Sequence, residues 1–397
     1  MPMKISIGSV LEVFLAFLKL GLTSFGGPVA HIGYFRAEFV DKRRWLDDES
    51  FLNLVVFCQF LPGPASSKVG IALGLRRAGW LGALAAWLGF TMPSAIALIA
   101  FALGAQQWTG LVSSGAVRGL KIAAVAVVAQ AVWSMGRAFC PDRLRAALAL
   151  AAALVVWAVP GSIGQLAAIA LGAAVGRWAL RLDQLRPLAQ HDYGVSRRTG
   201  ALLLVAFALL LLALPVIAAS TGSFVLSAIT AMYQAGGLVF GGGHLVLPLL
   251  HAGVVSPGWV GNDAFLAGYG AAQAVPGPLF TFAAYLGAVM PSPLGGWTGG
   301  LVLLVAIFVP GFLLVVGALP FWESLRQQIG VRQAAAGINA AVVGLLASAL
   351  VDPVWTSAIH SFADCVIAVA AFVLLVVFKV SPVAVVGFAA VCGWLVS

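Results

Sequence analysis

From Trp45 the chain reads WLDDESFLNLVVFCQFLPGP, and from Trp259 it reads WVGNDAFLAGYGAAQAVPGP. The stretches align without a gap at an offset of 214 residues (259 minus 45), pairing Trp, an acidic residue, Phe-Leu, Gln59 with Gln273, and Pro-Gly-Pro with Pro-Gly-Pro. Upstream, Phe25-Gly26-Gly27 matches Phe240-Gly241-Gly242; downstream, Trp80 and Pro93 match Trp297 and Pro310 at one common offset. A looser match pairs Gly119-Leu120-Lys121 with Gly337-Ile338-Asn339. Such self-similarity means one structural unit used twice, here in copies of about 175 residues. The expected division is 1–180 for the first repeat, 181–222 for a joint, and 223–397 for the second repeat.

Both copies must live in lipid. The chain is 62% hydrophobic and 9% charged, with mean hydropathy +1.05, where a soluble chain carries about 25% charged residues. Many segments approach the roughly 20 apolar residues that cross a bilayer as helix, and alternating strands of the outer-membrane type are absent. The fold class is therefore an all-α polytopic membrane protein, with the bilayer as its solvent. The N-terminal segment MPMKISIGSVLEVFLAFLKLGL has signal-peptide features, but it belongs to the first repeat and is expected to be retained.

The joint consists of RLDQLRPLAQHDYGVSRR, the longest polar stretch, followed by one apolar run over 199–220. A single span between two copies starts the second copy on the opposite side of the membrane, so the repeats are expected to be inverted. Cytoplasmic loops are rich in Lys and Arg, and the basic residues follow that inversion. Loop 36–49 holds Arg36, Lys42, Arg43 and Arg44, while its counterpart 251–263 has no Lys or Arg. Arg76-Arg77 faces an uncharged 287–296, and Arg137, Arg143 and Arg145 face 352–364, which carries only acids. The bias reverses where Arg326 and Arg332 answer 105–117, and where Lys379 answers Pro160-Gly161-Ser162. Both flanks of the first two segments are of cytoplasmic type, so each reads as a re-entrant pair of half-helices broken at FGGP or LPGP. Four full spans then follow in each copy, with the linker span between copies. This path places the N-terminus in the cytoplasm and the C-terminus outside.

Of the 22 Lys and Arg, all but Lys19, Lys68, Arg118 and Lys121 fall on the assigned cytoplasmic side. An ionisable group at membrane depth costs at least about 2.5–3.5 kcal/mol on insertion scales and marks function by default. Lys19 has a carboxylate, Glu12, two turns away on its own face, which predicts a pair. Snorkelling offers Arg118 and Lys19 a bland alternative.

Four helix breaks recur in matching places, SFGGPVAH, LPGPASSK, VFGGGHL and VPGPLFT. A helix broken in mid-membrane exposes N–H groups and the positive end of a dipole, and inverted-repeat transporters aim such ends at anions. Glycines let backbone approach a ligand, and hydroxyls add donors. The candidate substrate-binding set in the first copy is Gly26, Gly27, Pro28 and His31, Pro62, Gly63 and Pro64, then Ser66, Ser67, Lys68 and Lys121. In the second copy it is Gly241, Gly242, Gly243 and His244, Pro276, Gly277 and Pro278, then Thr281 and Asn339. Lys19, Glu12, Gln59, Arg118 and Gln273 form a secondary tier. Donors and cations with hardly a carboxylate favour a small oxyanion as cargo.

Other chemistries fit poorly. FGGGH lacks the Lys-Ser/Thr of a Walker sequence and follows no strand. His31, His244, His251 and His360 have no metal spacing, and Cys58, Cys140, Cys365 and Cys392 stand singly. No metal, cofactor, nucleic-acid partner or catalytic constellation is expected, and the chain does not read as an enzyme.

The segments FGGPVAHIGYFRAEFVDKRRWLDDESF, FCQFLPGPASSKVGIALGLRRAGWLGA, VFGGGHLVLPLL and GYGAAQAVPGPLFTFAAYLGA closely resemble the chromate ion transporter family in its long form with two homologous halves. The resemblance covers nearly the whole chain. It implies a multi-pass secondary transporter of the bacterial inner membrane that exports chromate and confers chromate resistance, without an ATP-hydrolysing domain. Many members have Gln where this chain has Lys68. Chromate and sulfate are both tetrahedral dianions, so a sulfate or general tetrahedral oxyanion transporter, importer or exchanger, stands as the alternative. The expected partners are the anion and the lipid bilayer, with a homodimer left open. A reporter fused after Ser397 is expected to lie outside the cytoplasm; a cytoplasmic signal from that fusion contradicts the inverted path.

Overall fold

The computed structural model describes residues 7–25, 27–107, 114–159, 162–181, 193–239 and 246–396. Among the described residues every regular element is helical. The first half runs α1 (Ile7–Thr23), α2 (Gly27–Arg36, continued by a π turn Ala37–Lys42), α3 (Asp48–Phe60), α4 (Ala65–Gln107), α5 (Ser114–Phe139), α6 (Arg143–Ala158) and α7 (Ser162–Ala179). After α8 (Arg197–Thr221) the order returns. It runs α9 (Phe224–Leu238), α10 (Val246–Leu250, continued by a π turn His251–Val255), α11 (Asn262–Ala274), α12 (Phe282–Val289), α13 (Gly296–Ala318), α14 (Trp322–Gln327), α15 (Ile329–Ala349), α16 (Thr356–Ala358), α17 (Phe362–Val376) and α18 (Pro382–Leu395).

Local chemistry sets the boundaries. Asp47, Asp142, Ser196, Ser223, Ser361 and Ser381 each accept an N–H from the first turn of the helix they precede, satisfying donors that have no partner within the helix. α4 folds back on itself at Ala78–Gly79, where Gly79 takes φ +65° and the arms close with Gly74 against Gly82. The second half builds the same hairpin from α12 and α13, with Gly287 against Gly299. Segments flanking the breaks are short: α1 has 17 residues, α2 10, α3 13 and α11 13, below the roughly 20 needed to cross.

Nine full spans are expected from the sequence, yet only five described stretches have the length and apolarity to cross: 65–104, 118–139, 197–221, 296–321 and 329–358. α6, α7, α17 and α18 have 16, 18, 15 and 14 residues. Their short length goes with a packing arrangement the sequence does not announce. α6 and α7 pack on α15 of the other half, and α17 and α18 pack on α5. Glycines permit both contacts. Gly172 and Gly176 lie against Gly337, and Gly393 lies against Gly115 and Gly119. Without a hydrophobic force between helices in lipid, such close backbone approach supplies the packing energy. α8 turns nearly all of its length outward.

A Cβ at Gly337 would overlap the Gly172 carbonyl, whereas Gly33 has open space. Gly337→Val is therefore expected to cost at least about 1–3 kcal/mol. That should appear as a lower Tm and poorer folded yield in detergent, while Gly33→Ala does not lower Tm.

Candidate functional site

The breaks meet through two backbone hydrogen bonds. Gly63 N–H donates to Val239 O at 2.6 Å, and Gly277 N–H donates to Ser24 O at 2.9 Å. Each Pro-Gly-Pro thus seats on the residue before the Phe-Gly-Gly of the other half. Prolines have no N–H, so the central glycine is the only backbone donor each motif offers. Both glycines take a left-handed conformation, φ +99° at Gly63 and +93° at Gly277. A Cβ on Gly277 would meet Ser94 Oγ at 2.8 Å and Phe90 O at 3.0 Å, and one on Gly63 would meet Gly236 O at 3.3 Å. Reciprocal contacts of this kind are what a two-fold relation generates.

Lys68 is fully buried, and its ammonium turns back onto the break. Nζ donates to Leu61 O at 2.5 Å and to Pro62 O at 2.9 Å, so two of its three protons satisfy carbonyls beyond the end of α3. That position also suits a cation electrostatically, at the negative end of a helix dipole. In the second half Thr281 Oγ1 donates to Pro278 O at 2.8 Å, so a hydroxyl serves the corresponding break. Donation, which an amide also supplies, is what Lys68 contributes here.

His31 is buried between the breaks. Nε2 lies 3.2 Å from Ser24 O and Nδ1 lies 3.3 Å from Ser66 Oγ. A carbonyl only accepts, so Nε2 carries the proton, and in the neutral ring Nδ1 accepts from the Ser66 hydroxyl. Ser24, Ser67 and Thr91 are buried nearby, and their hydroxyls have no partner among the described residues. Buried hydroxyls without partners are rare and call for a water or ligand.

Other expected residues lie elsewhere. Lys121 Nζ bonds Asp263 Oδ1, nine residues and about 13 Å of helix rise from Gln130 on α5. Arg118 pairs with the buried Asp364 at 2.8 Å. The expected Lys19–Glu12 pair does not form. Seven residues separate the two by about 10 Å along α1. Lys19 instead bonds Glu38 at 2.8 Å, and Glu12 bonds Arg77 at 2.8 Å and Arg43 at 3.3 Å. Gln59 is exposed, and Asn339 is half-buried on α15 with Oδ1 unpartnered among the described residues. Gly26, Gly241, Gly242, Gly243 and His244 lie outside the described residues, as does the side chain of Pro28.

Two cavities occupy matching places in the fold. One, of about 350 Å³, lies between α2, α5, α11 and the α17–α18 turn, lined by Phe25, Gly27, Tyr34, Gln130, Gln273, Lys379 and Ser381 among others. The other, of about 550 Å³, lies between α10, α15 and the α6–α7 pair, lined by Trp157, Gln165, His251, Ser348 and Asp352 among others. The first carries a cation and the second a carboxylate.

A family model described as chromate transporter matches residues 11–177 and 226–394. The chain belongs to the chromate transporter family. It is 30% identical to the chromate transport protein of Pseudomonas aeruginosa, over 97% of this chain and 92% of that one. A probable chromate transport protein of Synechococcus elongatus is 26% identical over 86% of this chain and 84% of its own length. The chromate transport protein of Cupriavidus metallidurans is 25% identical over 86% and 81% respectively. No solved structure matches.

The breaks are visible in the sequence, whereas Ser24, Thr91, Gln130 and Ser381 are not singled out by it and Lys379 reads there as a loop charge. Ser24 directly precedes FGG, which is a local signal; Gln130 sits mid-helix with nothing local to mark it.

Replacing Lys68 tests its part in this family member's fold. Lys68→Met leaves the Leu61 and Pro62 carbonyls without that donor, at about 1–3 kcal/mol for an unsatisfied buried group. A lower Tm is expected, with Lys68→Gln recovering most of it. A Met variant as stable as wild type would remove Lys68 from the support of the break.

Proposed function

We propose that the protein is a secondary transporter exporting chromate from the cytoplasm across the bacterial inner membrane and thereby conferring chromate resistance. Family membership supports the cargo, and the observation that carries the mechanism is the reciprocal crossing of the breaks beside three unspent hydroxyls. In this reading the halves, 1–180 and 223–397, are inverted repeats joined by 181–222, and the segments around the breaks are re-entrant. The dianion is held at the crossing by Ser24, Ser67, Thr91 and the start of α4. Lys68 stiffens the break and keeps one proton for the anion.

Exchange of helices between halves shapes the motion. A sequence half cannot rock alone, because α6–α7 must move with α15 and α17–α18 with α5. An inside-negative potential drives a dianion outward by about 4.6 kcal/mol per 100 mV, twice the value for one charge, so export needs no nucleotide. Tetrahedral donors discriminate chromate from sulfate poorly, which makes sulfate the competing cargo. Everted vesicles given an interior-positive potential are expected to accumulate radiolabelled chromate, with sulfate competing. Sulfate accumulation by intact cells without any chromate export would sink the proposal.

A further inference from the structure

The two cavities differ in a way that assigns a role to one of them. The cavity at the first Phe-Gly-Gly is lined by donors, Tyr34, Gln130, Gln273, Lys379 and Ser381, and by no carboxylate. At about 350 Å³ it far exceeds the roughly 10–15 Å³ that admits one water, leaving room for a small anion with part of its hydration. Lys379 is exposed and has no counter-ion among the described residues. Its backbone is left-handed, φ +53°, in the turn that closes α17, where Val380 N–H donates to Leu374 O. Ser381 caps α18, a helix of 14 residues whose first position is Pro382, also in the lining. The positive end of that helix therefore faces the same space as the ammonium.

Gln273 connects this space to the crossing. It lines the larger cavity and also a small one of about 20 Å³ that reaches Gly277, with room for about one water. Its Nε2 is buried beside the Tyr269 hydroxyl, one turn back on α11, and makes no hydrogen bond of full geometry among the described residues. An amide nitrogen has two protons to donate, so a buried Nε2 at the point where a wide space narrows can meet an incoming acceptor. The matching cavity of the other half carries Asp352, whose charge opposes an anion.

We propose that the Lys379 cavity is the recruiting vestibule for a hydrated tetrahedral dianion, with Lys379 drawing the anion in and Gln273 receiving it at the constriction. The proposal rests on the reading of the chain as an oxyanion transporter and adds the side of loading and the residues that set affinity there. A cleft of one charge sign raises local counter-ion concentration by about tenfold or more, and the effect weakens with salt.

Chromate uptake by everted vesicles tests it, with KM and maximal rate measured at low ionic strength. Lys379→Ala is expected to raise KM about tenfold with the maximal rate within about twofold of wild type, and Lys379→Arg to recover most of the loss. Ser381→Asp and Ser381→Asn both keep a good helix cap, so they separate charge from folding. Ser381→Asp should raise KM several-fold more than Ser381→Asn, and added salt should shrink the gap. Gln273→Leu should lower the maximal rate. Equal KM values for Ser381→Asp and Ser381→Asn, or an unchanged KM in Lys379→Ala while wild type transports chromate, overturn the vestibule alone. Wild-type vesicles that move neither chromate nor sulfate overturn the underlying transport reading with it.

Discussion

Two hydrogen bonds hold the centre of this molecule, Gly63 N–H to Val239 O and Gly277 N–H to Ser24 O. Their physical constraint is severe. Each donor is the only N–H of a Pro-Gly-Pro, each acceptor is the carbonyl just before a Phe-Gly-Gly or its counterpart, and each glycine has a positive φ. In lipid an unpaired backbone group costs several kcal/mol, so a chain that interrupts its helices there must pair the freed groups across the break. Here they are paired in part across the halves, which makes each half incomplete without the other.

Around that crossing, side chains take over backbone duties. The Lys68 ammonium caps the Leu61 and Pro62 carbonyls, and Thr281 does the same for Pro278. His31 ties Ser24 O to Ser66. Among the described residues the hydroxyls of Ser24, Ser67 and Thr91 remain unspent there. The groups that support the architecture and those with unspent donors interleave along the same few residues.

The charged residues away from the crossing follow a simpler rule. Lys19, Arg43 and Arg77 neutralise Glu38 and Glu12 within the first half, while Arg118 and Lys121 reach Asp364 and Asp263 of the second. Pairing lowers the cost of charge in a poorly solvated place. It also explains why three of the four intramembrane cations expected from sequence turn out to be bound to carboxylates rather than gathered at the breaks.

The sequence by itself determined the class of solvent, the duplication and the location of both Pro-Gly-Pro breaks. Those follow from apolar length, from a constant offset between matching residues, and from what Pro and Gly forbid within a helix. It also marked Lys68 as costly, since charge in an apolar run is visible without coordinates. Only the tertiary structure decided what Lys68 bonds, which half α6–α7 and α17–α18 pack against, and that Gln130, Gln273 and Lys379 share one cavity. The reason is physical. Apolarity and helix breaking are properties of local sequence, whereas the direction a side chain takes at a break depends on the packing around it, and the cavity lining joins residues from Phe25 to Pro382 that no local pattern brings together.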